Sequence, residues 1–176
     1  MIDFKCYIDA FCEENELAVS ISYEMPAGYE TAYGTYDVTI NTIFINRELI
    51  QNSPAYEALY YLFHELRHAM QYCHPERFDH TIQRSKNYVI LYNGVCYKLV
   101  GSAWHTCTLD GSEDYFTTVY LNLPYEVDAN SFAFGRVKEI LGDSLELQEL
   151  YDFWMPKVSF ANEEYDKLFA WIDDNT

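Results

Sequence analysis

An α+β domain is what this sequence predicts. Three observations carry that prediction. The chain has 176 residues, 49% of them hydrophobic and 18% aromatic, enough apolar material for a buried core. Stretches with apolar residues at helical spacing are mixed with short runs rich in β-branched residues. The two kinds of stretch are partly segregated along the chain rather than alternating, which disfavours a parallel α/β sheet.

Taken in order, Asp3 to Asn15 places Phe4, Ile8 and Phe11 near helical spacing and reads as a short helix. Leu17 to Tyr23 reads as a strand, with Pro26 and Gly28 marking a turn. Tyr29 to Tyr33 reads as a second strand and Gly34 to Asp37 as another turn. Thr39 to Asn46 is dense in β-branched residues and reads as a strand. Asn52-Ser53-Pro54 is a helix start, with Ser53 as the acceptor for an orphan N–H and Pro54 at the first helical position. That helix is expected to run to about Tyr72, with Leu59, Leu62, Phe63, Leu66 and Met70 as its apolar stripe and Pro75 just beyond it.

Asn93-Gly94 separates the apolar runs Tyr88 to Tyr92 and Val95 to Val100. This predicts a hairpin whose two turn residues both take positive φ. Tyr115 to Leu121 reads as a strand. Pro124 opens a helix that ends near Leu141, with Gly142 just past it. From about residue 143 to 176 acids outnumber lysines, yet apolar residues recur, which predicts acidic amphipathic helices rather than a free tail. The whole is read as one domain, 1–176, with a hairpin-containing insertion at about 75–122.

Eleven basic residues against 28 acidic ones give a net charge of −17. Such a surface repels phosphate backbones and anionic lipid heads, so no nucleic-acid or membrane partner is expected. No stretch is apolar for long enough to span a bilayer. The opening Met-Ile-Asp-Phe-Lys-Cys has an early acid and no apolar run, so no signal peptide is expected. The five cysteines form no C-x-x-C pair. Reduced thiols in the cytoplasm are the expectation.

The chemistry lies in His64-Glu65-Leu66-Arg67-His68, an H-E-x-x-H run inside the predicted long helix. Residues four apart on a helix share a face, so two imidazoles can reach one zinc ion at about 2.0–2.1 Å. Glu65 is then placed to take a proton from an attacking water. A catalytic zinc takes a third protein ligand. One candidate is His74, at the spacing of the metzincin motif, although Gln71 stands where that motif has glycine. The other is a carboxylate near the start of the later helix, Glu126 or Asp128, with the small Ala129 allowing close approach. Arg67, Tyr72, His105 and Tyr125 are each possible donors to an oxyanion. His80, His105 and Cys73 read by default as structural or surface residues.

The two motifs together, His64-Glu65-Leu66-Arg67-His68 and Glu126-Val127-Asp128-Ala129-Asn130-Ser131-Phe132-Ala133, resemble the ImmA/IrrE family of small zinc metallopeptidases, within the gluzincin-like zincins. Gly34-Thr35-Tyr36 and the following strand also resemble that family's approach to the active-site helix. The resemblance covers about Leu17 to Leu141. It implies a minimal zincin domain: a small twisted sheet, an H-E-x-x-H helix and a second helix carrying the third ligand. It further implies His64, His68 and Glu126 as zinc ligands and Glu65 as general base.

The expected function is zinc-dependent hydrolysis of peptide bonds in a protein or peptide substrate. Substrate backbone is expected to pair with an exposed edge strand, Thr39 to Asn46. The second reading is a metal-binding regulatory or interaction module on the same fold, phage- or mobile-element-derived, with a closed or silent site. The long stretch between the two motifs motivates it.

Overall fold

The computed structural model describes residues 3–176; Met1 and Ile2, which open the segment read for an export signal, lie outside the described residues. The chain is mixed α+β, as its sequence predicts, and divides into two compact units. The first comprises 1–77 and 129–153, the second 78–128 and 154–176.

In the first unit, α1 (Phe4–Asn15) starts at Asp3, whose carboxylate accepts the Cys6 N–H. It ends at Glu16 in the left-handed region. Ile8 and Phe11 are its buried face. A three-stranded sheet follows, formed by β1 (Ser20–Ser22), β2 (Gly34–Asp37) and β3 (Thr42–Ile45) in the order β1-β3-β2. β3 runs parallel to β1 and antiparallel to β2, with Gly34 opposite Ile45 and Asp37 opposite Thr42.

Four expectations change here. Gly34 to Asp37 is a strand, not a turn. The chain reverses afterwards, where Asp37 accepts the Thr39 N–H at 2.8 Å and Asn41 takes φ 49°. That Asx-type turn consumes the first residues of the predicted Thr39-to-Asn46 strand. Tyr29 to Tyr33 is not a strand; it folds into consecutive turns closed by Tyr29 N–H to Pro26 O and Ala32 N–H to Tyr29 O, both 3.0 Å. The strand read as an exposed edge is the central one, because β3 is hydrogen-bonded on both sides.

A short helix, α2 (Arg47–Asn52), is capped by the Asn46 carboxamide, which accepts the Leu49 N–H. Then comes α3 (Ala55–Cys73). Its span matches the sequence reading, but its cap does not. Pro54 occupies the N-cap, and the Ser53 hydroxyl pairs instead with the Tyr33 hydroxyl at 3.0 Å. α3 is the spine of this unit. It packs on α1, α2, β2 and β3, and Leu59, Leu62, Phe63 and Leu66 are fully buried. Phe11 meets both Phe63 and Phe132 edge-to-face. A single 3₁₀ turn, Pro75–Arg77, closes the segment.

The second unit holds α4 (His80–Ser85) and an antiparallel sheet of β4 (Tyr88–Ile90), β5 (Val95–Val100) and β6 (Ala103–Thr108) in chain order. The Asn93-Gly94 hairpin forms, with a different turn from the one expected. Only Gly94 has positive φ, at 81°. Its N–H bonds Leu91 O at 2.9 Å, so the turn spans Leu91–Gly94 and ends in a left-handed glycine. A Cβ on Gly94 would also lie 2.6 Å from the Phe116 ring.

Tyr115 to Leu121 lies within a helix, α5 (Glu113–Asn122), rather than a strand. Ser112 caps it by accepting the Tyr115 N–H, and Glu113 and Asp114 fill the first turn. α8 (Asn162–Asn175) contributes Leu168, Phe169 and Ile172 to this unit's core, beside Tyr88, Ile90, Phe116, Val119 and Leu123.

α6 (Pro124–Leu141) begins in the second unit and continues through the first, ending at Gly142 with φ 86°. α7 (Leu145–Trp154) follows and buries Leu147. The acidic C-terminal stretch is therefore helical, as expected. All five cysteines are free. Among the described residues no helix is long and apolar enough to cross a membrane.

Candidate metal centre

Nineteen residues of uninterrupted helix set the spacing on which this site depends. His64 and His68 lie one turn apart on α3 and are both largely buried, 9% and 8% exposed. Their Nε2 atoms are 2.9 Å apart and their rings nearly perpendicular, at 88°. Two ring nitrogens facing each other at that distance cannot both carry protons.

Glu126 comes from the first turn of α6 and is 5% exposed. One turn further along, α6 is hydrogen-bonded to α3. Asn130, also buried, accepts a hydrogen bond from the Tyr60 hydroxyl of α3 at 3.0 Å. Ala129, its neighbour on α6, has no exposed surface. One ligand atom from each of His64, His68 and Glu126 lies within 4.8 Å of the others, and this is the one group among the described residues able to hold a metal ion.

The donor set fits zinc. Two neutral imidazoles and a carboxylate are borderline ligands that zinc takes readily, while calcium and magnesium demand mostly oxygen. Three protein ligands leave a fourth position for water or substrate.

Glu65 is turned to β2. A Cβ added to Gly34 would lie 2.9 Å from Glu65 Cγ and 3.1 Å from the Phe44 carbonyl oxygen. The carboxylate arm of Glu65 therefore lies across bare backbone at the start of an edge strand. On the same strand Tyr36 donates to Asn41 at 2.8 Å. Burial, then the charge of nearby Cys73, holds the Tyr36 phenol well above its usual range, so it stays a neutral donor.

The remaining candidates lie elsewhere. His74 caps the end of α3, with Nε2 3.4 Å from the Glu16 carbonyl and Nδ1 3.5 Å from Glu76, and is outside the metal group. Arg67 stacks over the Phe132 ring, 4.6 Å from its centroid. Tyr72 packs against Tyr36. Tyr125 is buried, and its N–H is held by Ser85 Oγ in the second unit. His80 opens α4 and His105 lies on β6, both exposed. Asp128 is half-buried on α6 and not part of the group.

Two participants were not legible as such. Gln71 counted only as a poor substitute for a metzincin glycine; its Oε1 lies 2.9 Å from His68 Nδ1. The signal was present in its spacing, three residues past a ligand on the same helix face. Tyr60 carries no motif at all, and only the packing of α3 on α6 reveals it. No family profile, curated protein or solved structure matches this chain.

Proposed function

We propose that the protein is a zinc-dependent metallopeptidase. The observation that carries this reading is the grouping of His64, His68 and Glu126 within 4.8 Å, with Glu65 on the same helix. When bound there, zinc would polarise the scissile carbonyl and make an attacking water more acidic.

The chain's own residues supply the rest. His64, His68 and Glu126 hold the metal. Glu65 takes the proton of the attacking water and passes it to the leaving amine nitrogen. β2, an edge strand among the described residues and close to Glu65, offers its outer backbone to an extended substrate, which would set the scissile bond beside the base. This moves the docking strand from the Thr39-to-Asn46 segment to Gly34–Asp37.

The test is cleavage of a proteome-derived peptide library by the zinc-loaded chain, with Glu65→Gln as control. Cleavage by wild type that drops about 10²–10⁴-fold in Glu65→Gln, at unchanged zinc occupancy, is expected. No Glu65-dependent cut in a fully zinc-loaded sample would sink the peptidase reading.

One observation favours a second reading. All three ligands are less than a tenth exposed. A catalytic zinc needs an open position, whereas a closed site suits a metal-binding regulatory module. One zinc per chain with no cleavage is the outcome that selects it.

A further inference from the structure

Gln71 is a fully buried amide, with no exposed surface. Burying an amide is costly unless its hydrogen bonds are made. A leucine or methionine would fill the same volume without that cost. The structure shows where one of the bonds goes: Oε1 of Gln71 lies 2.9 Å from Nδ1 of His68.

An amide oxygen only accepts, so Nδ1 of His68 must carry the proton. The neutral ring then has its lone pair on Nε2. That is the nitrogen turned to His64 Nε2, where the metal group converges. We propose that Gln71 is a positioning residue for the metal centre, fixing both the tautomer and the ring plane of His68. The proposal rests on the metal-site reading and deepens it. Partners on the remote nitrogen of a metal-binding histidine typically contribute 10–100-fold in affinity.

Helix geometry makes the arrangement possible. α3 continues to Cys73, so Gln71 sits nearly one turn past His68 on the same face. A chain that turned back at this position, to bring His74 to a metal, would lose that contact. Retention of helix through Gln71 and recruitment of the third ligand from α6 are thus two sides of one design.

The experiment compares wild type, Gln71→Met and Gln71→Glu as full-length chains. Zinc affinity is read by competition with a chromophoric chelator. The His68 tautomer is read in the metal-free protein by long-range ¹H–¹⁵N NMR of the imidazoles. Gln71→Met removes the acceptor at similar volume, and should weaken zinc binding about 10–100-fold and leave His68 a mixture of tautomers. Gln71→Glu keeps an acceptor in place and should bind zinc at least as tightly as wild type, with Nδ1 still protonated. If Gln71→Met does not fold, Gln71→Leu takes its place.

Equal weakening in Gln71→Met and Gln71→Glu would mean a packing role and overturn the proposal. So would wild-type affinity with an unchanged tautomer in Gln71→Met. Wild type that binds no zinc would overturn the metal-site reading itself, and this proposal with it. The first two outcomes leave the metal-site reading standing.

Discussion

A methyl group at position 34 has nowhere to go. It would approach Glu65 Cγ to 2.9 Å on one side and the Phe44 carbonyl to 3.1 Å on the other. The carbonyl is held in the sheet, because Gly34 and Phe44 lie on paired strands. Glu65 must therefore yield. Glycine inside a strand commonly marks such a close approach. Gly34→Ala is expected to cost about 1–3 kcal/mol of stability through overpacking. It should also displace the base without touching a ligand, lowering kcat by at least about tenfold in the peptidase reading, since small misplacements near the chemistry are that costly. Zinc occupancy should stay at the wild-type level. A variant that melts and cleaves like wild type would show that Glu65 has slack on this side. The same residue-scale logic explains why Glu65 could be recognised from its motif while its contact with Gly34 could not. Spacing along one helix is written in the sequence; the strand that a side chain lies against is not.

Among the elements, α5 shows how local signals compete. Thr117-Thr118-Val119 is β-branched, which is why the segment reads as a strand. The helix forms because Ser112 caps it, two acids occupy its first turn, and Phe116, Val119 and Leu123 then fall together in the core of the second unit. Thr118 adapts by donating its hydroxyl to the Asp114 carbonyl one turn back, at 2.8 Å. Tertiary burial thus overrides propensity, and the cap decides where. Ser112→Ala should destabilise the protein by about 1 kcal/mol, the usual worth of an N-cap, while Ser112→Asp should restore it. Chemical denaturation monitored by far-ultraviolet circular dichroism reads both; an unchanged midpoint in Ser112→Ala would mean that packing alone sets the start of α5. Elements with strong internal signals were legible: α3 from its apolar stripe, α6 from Pro124 and Gly142, β5 from the hairpin. β2 was not, because four half-buried residues starting with glycine carry almost no pattern. The order β1-β3-β2 was equally hidden, since pairing between strands far apart in sequence leaves no local trace. The site inherits this division. His64, His68 and Glu126 could be named from two motifs, whereas the Tyr60–Asn130 and His68–Gln71 hydrogen bonds emerge only in the fold.

For the whole molecule, charge and burial act together at high pH. The net charge is already −17, so every further ionisation adds to self-repulsion. Two buried groups in the second unit resist ionisation. Tyr88 is pushed up to about 12, first by burial, then by its hydrogen bond to Asp173 and by the charge of that carboxylate, with Arg84 opposing. Cys96 is likewise pushed up to about 12, by burial and then by Cys107 across the sheet. In the unfolded chain a tyrosine ionises near pH 10 and a cysteine near about 8.5. Both folded values are raised, so the fold holds protons that the unfolded chain gives up. Their contribution is complete below the unfolded values and is lost as pH climbs towards about 12. The melting temperature should therefore fall from about pH 9 upward, with Cys96 acting first and Tyr88 adding its share above about pH 10. Tyr88→Phe should lower stability at neutral pH by about 1 kcal/mol through the lost hydrogen bond, yet flatten the fall above pH 10. Salt separates the two causes. At about 1 M ionic strength, where the screening length is about 3 Å, repulsion between surface charges is largely removed while the cost of ionising a buried phenol remains. An alkaline limb that survives high salt in wild type and flattens in Tyr88→Phe assigns the loss to Tyr88. A limb that salt abolishes, equal in both proteins, would assign it to the acidic surface instead.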